Sequence, residues 1–259
     1  MYLCRMIFVT GGTGLVGSHI LLKLAQQGEK FKALKRISSS LKVCKSVFDY
    51  YNANDLFHQI YWVSGDVNDI QSLENAMKDC SLVLHCAAMV SFSSSDAELI
   101  RKVNVEGTAN VVNVAISMGV KKLGYISSIA ALGRNSTDQI VDEECYFKPT
   151  LKESNYALSK YYSEQEVWRG GQEGLDVVIV NPSVILGPGN WAKGSSQIFQ
   201  KINSGLKYYT SGSTGYVDVI DVSDAIIKLL FSDVRNERFI VNGANLMYRD
   251  CFDRIAVAL

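Results

Sequence analysis

Three glycines spaced three residues apart, at the first strand-to-helix turn, constrain this chain more than any other feature. Residues 7–20 read Ile-Phe-Val-Thr-Gly-Gly-Thr-Gly-Leu-Val-Gly-Ser-His-Ile. The run Arg5-Met6-Ile7-Phe8-Val9 before the glycines has the length and apolar character of a buried strand. After them, Leu15, Val16, Ile20, Leu21 and Leu24 recur at helical spacing over 15–27. Gly11 permits the tight turn, Gly14 lets backbone approach a ligand, and Gly17 lets the helix pack close to the sheet. A helix opening there presents free N–H groups and a positive dipole end, which favour a pyrophosphate. A Gly-rich loop alone is a weak signal; its place between strand and helix favours a dinucleotide cradle over a plain turn.

The same alternation continues. Strands are expected at 6–9, 32–34, 60–63, 82–85, 123–126, 177–180 and 239–241. Helices are expected at 15–27, at 70–77 behind Asn68 or Asp69 as N-cap, at 98–118 before Gly119, and at 156–167. Short apolar runs separated by helices predict a parallel sheet covered on both faces. Right-handed crossovers then make it an α/β, doubly wound Rossmann sheet with its ligand beyond the strand C-termini. After about Pro182 the texture changes. Glycines punctuate Trp191, Tyr208, Tyr209 and Tyr216, which suggests a smaller, loop-rich substrate-binding region. The expected division is 1–181 for the dinucleotide-binding domain and 182–259 for the substrate region, with 225–231 and 238–241 able to return to the sheet. The chain ends inside an apolar helical pattern without a cap, so the natural sequence is expected to continue.

Composition narrows the partners. Basic and acidic residues number 26 each, and no basic stripe interleaves with aromatics, so nucleic acid is not expected. No apolar run approaches the ~20 residues of a membrane span, and the N-terminus has no signal-peptide pattern; both point to the cytoplasm and to no membrane partner. The cysteines Cys4, Cys44, Cys80, Cys86, Cys145 and Cys251 form no C-x-x-C pair. His19, His58 and His85 share no ligand spacing, so no metal is expected. His85 reads better as a core histidine than as a catalytic one.

Tyr156-Ala157-Leu158-Ser159-Lys160 sets Tyr and Lys one helical turn apart. A free phenol has a pKa of about 10, and a neighbouring ammonium lowers it. Such a Tyr can protonate a carbonyl oxygen that receives hydride, or deprotonate an alcohol in reverse. With 13 tyrosines and 17 lysines in 259 residues, roughly one such pair arises by chance. Its position, at a helix start soon after the fifth strand, carries the weight.

Taken together, these segments resemble the extended short-chain dehydrogenase/reductase family, which includes the NAD-dependent epimerases and dehydratases. The likeness runs from Met6 to about Asp224. It begins at Gly11-x-x-Gly14-x-x-Gly17, with Thr10 and Thr13 in agreement, and implies that Gly11, Thr13, Gly14, Leu15, Val16 and Gly17 hold the cofactor. Gly65-Asp66-Val67 resembles the adenine-binding turn, with Asp66 bonding the base. His85-Cys86-Ala87-Ala88 resembles the segment whose small residues, Ala87 and Ala88, let the cofactor cross the sheet. Tyr125-Ile126-Ser127-Ser128 resembles the segment carrying the catalytic hydroxyl, and counting back from Gly133 selects Ser128. Tyr156 and Lys160 match the catalytic pair and also contact cofactor. Asn104 matches a helix asparagine with either a water-relay role toward Lys160 or a structural one. Pro182 and Ser183 lie in the segment beside the nicotinamide. The likeness also allows a homodimer through the helices of Asn104 and Tyr156, which could equally face solvent.

NAD sites place an acid at the end of the second strand. Here that strand ends Ala33-Leu34-Lys35-Arg36, and Arg36, helped by Lys35, suits a 2′-phosphate. NADP is therefore expected, with NAD as the alternative. Within the extended branch, sugar-nucleotide enzymes often carry an Arg and a His where this chain has Thr214 and Asp218, and the common Arg-Pro after the sixth strand is Asn181-Pro182 here. The first departure removes a charge-assisted phosphate contact. Met89, Phe92, Trp191, Tyr208 and Tyr209 suggest a small, fairly apolar substrate. The leading expectation is a carbonyl reductase close in style to dihydroflavonol reductase-like and 3β-hydroxysteroid dehydrogenase-like members. The alternatives are a nucleotide-sugar epimerase or dehydratase, its diphosphate held by Lys193, Lys201 or Lys207, and a non-catalytic dinucleotide sensor.

Overall fold

The computed structural model describes residues 6–133, 140–150, 153–192 and 194–259; Cys4, Arg5 and Lys193 lie outside them. The first half alternates as expected. β1 (Met6–Thr10) leads through the glycine loop to α1 (Leu15–Gln26), then β2 (Lys30–Lys35). Two helices not anticipated from the sequence follow, α2 (Lys42–Tyr50) and α3 (Asn54–Phe57). Then come β3 (Tyr61–Ser64), α4 (Ile70–Met77) and β4 (Leu82–His85). The next helix is continuous but changes pitch: α5 (Ala97–Ile100), a π-helical stretch (Arg101–Glu106) and α6 (Gly107–Ser117). β5 (Lys122–Ile126), α7 (Asn155–Gln172) and β6 (Asp176–Pro182) complete the series.

Local chemistry sets several of these ends. The Asp69 carboxylate caps α4 by accepting from Ser72 N at 3.3 Å. Ser154 caps α7 by accepting from Ala157 N at 3.1 Å, which puts Tyr156 in the first turn. Gly119, at φ +70°, follows α6 in the left-handed conformation that closes a helix without strain on a Cβ.

Six of these strands and β9 (Glu237–Val241) form one parallel sheet in the order β3-β2-β1-β4-β5-β6-β9. Alternation along each strand feeds two cores. Ile7, Val9, Leu82, Leu84, Val178 and Val180 pack on one face with Ile20, Leu21 and Phe48. Phe8, Val83, Leu123, Val177 and Ile179 pack on the other with Leu73, Val111 and Val167. Both faces are buried along the central strands β1, β4 and β6, which is why these read as nearly unbroken apolar runs. Each large aliphatic or aromatic side chain so buried contributes about 1.5–3 kcal/mol.

After Pro182 the chain builds a second, three-stranded sheet and then rejoins the first. β7 (Val184–Leu186) runs parallel to β8 (Ser213–Asp218), which pairs antiparallel with β10 (Ala244–Met247). α8 (Gln197–Asn203) and α10 (Tyr248–Ala258) pack on it through Tyr216, Ile198, Phe199, Cys251 and Ile255. α9 (Val219–Phe231) lies between these parts in sequence but packs on the large sheet through Val222, Ile226 and Leu230. Buried Lys122 clamps the end of α9, donating to the Leu229 carbonyl at 2.6 Å and the Ser232 carbonyl at 2.7 Å. A cation there also suits the helix dipole. No helix among the described residues is long and apolar enough to cross a membrane.

Candidate active site

Parallel strands bring all their carboxyl ends to one edge, and the expected cofactor residues fall along it. The glycine loop follows β1, Lys35 and Arg36 close β2, and Asp66 and Val67 follow β3. Ala87 and Ala88 follow β4, Ser128 follows β5, and Pro182 and Ser183 close β6. The strand order reverses between β1 and β4, where an open α/β sheet leaves a crevice.

The loop has the shape of a phosphate cradle. Gly11 adopts φ +72°, and a Cβ on it would lie 2.5 Å from the Cys86 carbonyl carbon and 2.6 Å from Ala87 N. The loop and the β4 end thus touch through backbone alone. Gly14 is the N-cap of α1 and brings no side-chain cap, so the first-turn N–H groups of Leu15 and Val16 have no capping side chain. Ser18 stiffens the turn from within by donating to the Gly14 carbonyl at 2.6 Å. Gly189 closes over the loop, since a Cβ there would meet Leu15 Cδ1 at 2.8 Å. These features fit a dinucleotide's pyrophosphate. At the other end of the crevice, Asp66 Oδ1 accepts from Asn68 N at 2.9 Å, and Val67 is buried against Gly107.

β5 and α7 supply the polar centre. Lys160 is 2% exposed; its ammonium donates to the Ile126 carbonyl at 2.8 Å and the Tyr125 hydroxyl at 3.0 Å. Burial pushes its pKa below the usual lysine value, and the neighbouring Tyr156 and Glu164 oppose that shift. The Tyr156 ring meets Phe92 edge-on, centroids 5.8 Å apart. The two serines after β5 part company. Ser127 is buried and donates to Glu164 Oε2 at 2.6 Å. Ser128 is only half-buried, and its Oγ accepts from Ala130 N at 3.1 Å.

A family model for the NAD dependent epimerase/dehydratase family matches residues 7–241. The chain belongs to that family. Its likeness to the extended short-chain dehydrogenases/reductases extends to named relatives. It is 36% identical over 221 residues to a putative dihydroflavonol 4-reductase of Synechocystis sp., covering 83% of this chain and 60% of that one. It is 27% identical over 246 residues to cinnamoyl-CoA reductase 1 of Petunia hybrida, covering 91% and 72%. The crystal structure of Thermus thermophilus UDP-glucose 4-epimerase in complex with NAD superposes with a TM-score of 0.82 at 25% identity, covering 98% and 83%. The chain thus spans 60% of the length of the Synechocystis relative.

Other expected residues of this epimerase/dehydratase-family chain fall into place less directly. Asn104 is 1% exposed, and its side chain accepts from Met89 N at 2.7 Å. It donates to the Met89 carbonyl at 3.0 Å and to Ser159 Oγ at 2.9 Å. Those bonds tie the segment after β4 to α7 rather than reaching Lys160. His85 is a satisfied core histidine: Nδ1 lies 2.6 Å from Thr10 Oγ1 and Nε2 2.9 Å from Thr108 Oγ1. Burial, then the Lys160 charge, hold its pKa down at about 3. Of the five expected pocket side chains, Phe92 is the one in ring contact with Tyr156. Trp191 stacks on Phe199, Tyr209 meets Phe252, and Tyr208 is 87% exposed. Among the described residues no cluster of His, Cys, Asp or Glu could hold a metal.

Sequence reasoning missed a buried group. Glu164 takes a hydrogen bond from Asn181 Nδ2 at 2.9 Å and pairs with Arg238 at 2.9 Å. The only signal in the sequence was its place one turn beyond Lys160, continuing the Tyr156–Lys160 spacing.

Proposed function

We propose that the chain carries the active site of an NADP(H)-dependent reductase that interconverts a carbonyl and a secondary alcohol on a small, fairly apolar substrate. The observation that carries the cofactor reading is the end of β2. Its register, Val9 opposite Ala33, brings Lys35 and Arg36 level with the glycine loop, and the strand offers no carboxylate to a ribose 2′-OH. The exposed Arg36 guanidinium suits a 2′-phosphate.

When bound, the nicotinamide supplies or accepts the hydride. The chain's own residues manage the proton and the oxygen. The Tyr156 phenol donates a proton to the substrate oxygen as negative charge develops on it. Lys160 stabilises the resulting phenolate. An ammonium has three donors, and Ile126 and Tyr125 take two, which leaves one N–H for Tyr156 or a cofactor hydroxyl. Ser128 holds the reacting oxygen by a hydrogen bond that strengthens as charge builds. Asn104 acts by fixing Met89 and Ser159, the residue before Lys160. Phe92, packed against Tyr156, favours an apolar or aromatic substrate. NADPH fits net reduction, whereas an epimerase recycles its cofactor within the site.

The test is titration of the purified protein with NADPH and NADH, followed by release and redox analysis of any copurified nucleotide. Exchangeable NADPH, strongly preferred, supports the reductase. Retained NAD⁺ with no NADPH preference overturns it in favour of an epimerase, for which the second sheet and Lys201 or Lys207 would hold the diphosphate.

A further inference from the structure

Behind Ser128 lies a buried carboxylate that the mechanism above leaves unused. Tyr156, Lys160 and Glu164 follow one another at single-turn spacing on α7. The Glu164 side chain is 2% exposed, yet four donors converge on it. Oε2 accepts from the Ser127 hydroxyl at 2.6 Å and Asn181 Nδ2 at 2.9 Å. Oε1 accepts from Arg238 Nη1 at 2.9 Å and Trp168 Nε1 at 3.4 Å. Asn181 Nδ2 also donates to the Ser128 carbonyl at 3.0 Å.

The consequence is directional. Ser127 is held by its side chain and Ser128 by its own carbonyl, both referred to one carboxylate. Arg238 carries the brace outward, donating through Nε to the Glu143 carbonyl at 2.8 Å and through Nη2 to the Cys145 carbonyl at 3.3 Å. Glu143 returns the contact by accepting from Ile240 N at 2.8 Å. A buried ion pair gains little stability over apolar residues of the same volume. What such a polar hub does add, with both carboxylate oxygens taken up by donors, is a fixed direction for each group it holds. We propose that Glu164 is a positioning residue for Ser128: acting through Ser127 and Asn181, with Arg238 as counter-ion, it fixes the backbone that aims the Ser128 hydroxyl at the reacting oxygen. This rests on the role given to Ser128 above.

The test uses Glu164→Gln and Ser127→Ala in the full chain, with NADPH and 4-nitroacetophenone, a ketone whose reduction gives a secondary alcohol, as probe, alongside hydrogen–deuterium exchange of the apo protein. Glutamine turns one acceptor into a donor facing donors and leaves Arg238 without its carboxylate counter-charge. The expected result is a fall in kcat of about 100-fold, as misplacement near 1 Å produces. KM and NADPH affinity should stay within about threefold, and exchange should quicken in the peptide spanning 126–132. A merely structural Glu164 would lower Tm but leave kcat per folded molecule unmoved, and that result overturns the proposal. Ser127→Ala keeps the ion pair and removes one hydrogen bond, so it decides the matter if Glu164→Gln fails to fold. Its kcat should fall at least about fivefold, in line with the loss of one hydrogen bond, and an unchanged kcat refutes the brace. If the wild type reduces no carbonyl with NADPH, the reductase reading fails instead. Exchange then decides alone: quickening confined to 126–132 in both variants supports the brace, and unchanged exchange there, or quickening spread evenly over the whole sheet, overturns it.

Discussion

Gly17→Ala strikes the glycine loop at its tightest point. A Cβ built on Gly17 lies 2.2 Å from the Gly11 carbonyl oxygen, 2.6 Å from its carbon and 2.9 Å from Gly12 Cα. All three are backbone atoms, so no side chain can rotate aside. To regain a 3.4 Å contact, the Gly11 carbonyl must retreat by about 1.2 Å. That carbonyl accepts from Gly14 N at 3.0 Å, so the retreat opens the turn that α1 starts from. Overpacking of this kind costs about 1–3 kcal/mol, and the broken hydrogen bond adds about 1 kcal/mol. Expressed in folding, roughly 2–4 kcal/mol lowers Tm by about 5–10 °C. Expressed in cofactor binding, it weakens NADPH by about 30- to 1000-fold. Thermal unfolding and NADPH fluorescence titration measure both. Gly28→Ala serves as the contrast: it is strained at φ +71° but has open space around the new Cβ, so it should cost stability and leave NADPH affinity alone. A Gly17→Ala protein with wild-type Tm and NADPH affinity within about threefold would overturn this account of the loop.

Three further outcomes are expected. Tyr156→Phe should bind NADPH normally yet lose about 100- to 10,000-fold in kcat, as removal of a general acid does; normal turnover would point to another proton donor, and normal signalling without turnover to a sensor. Arg36→Glu should weaken NADPH by about 10- to 100-fold, the worth of a charge-assisted phosphate contact, without weakening NADH, as parallel titrations would show. The third concerns acid stability. His85 has a folded pKa of about 3 against an ordinary 6.5, so the unfolded chain binds the extra proton. Its contribution is whole above pH 6.5 and drains as pH falls from 6.5 toward 3, by up to about 1.4 kcal/mol per pH unit. Thermal melts from about pH 7 to about pH 4 should therefore show a falling Tm, with a shallower slope in His85→Gln.

Much of the sheet was legible because parallel strands are buried on both sides. Val177–Val180 and Leu82–Leu84 read as unbroken apolar runs, and the observed strands begin or end within a residue or two of those expected. Periodicity could not show the π-helical stretch at Arg101–Glu106, because its side-chain pattern is that of the helix on either side. α2 escaped because its apolar face, Cys44, Val47 and Phe48, is short and follows a polar Ser-rich turn. The second sheet escaped because β7 and β10 have three and four residues and gain their meaning only from pairing with β8.

The alternation of strands and helices that builds the large sheet, the glycine loop and the Tyr156–Lys160 spacing are all written in the linear chain. Each rests on neighbours in sequence: a turn needing φ above zero, a helix start, a residue one turn on. Folding alone settles which of two adjacent serines turns inward, where Lys160 spends its hydrogens, and what surrounds Glu164. Ser127 and Ser128 are chemically alike and differ only in what lies opposite them. Glu164 gathers Ser127 after β5, Asn181 on β6 and Arg238 on β9, partners 37, 17 and 74 residues away. A buried charge takes its role from groups that only the folded sheet brings within reach.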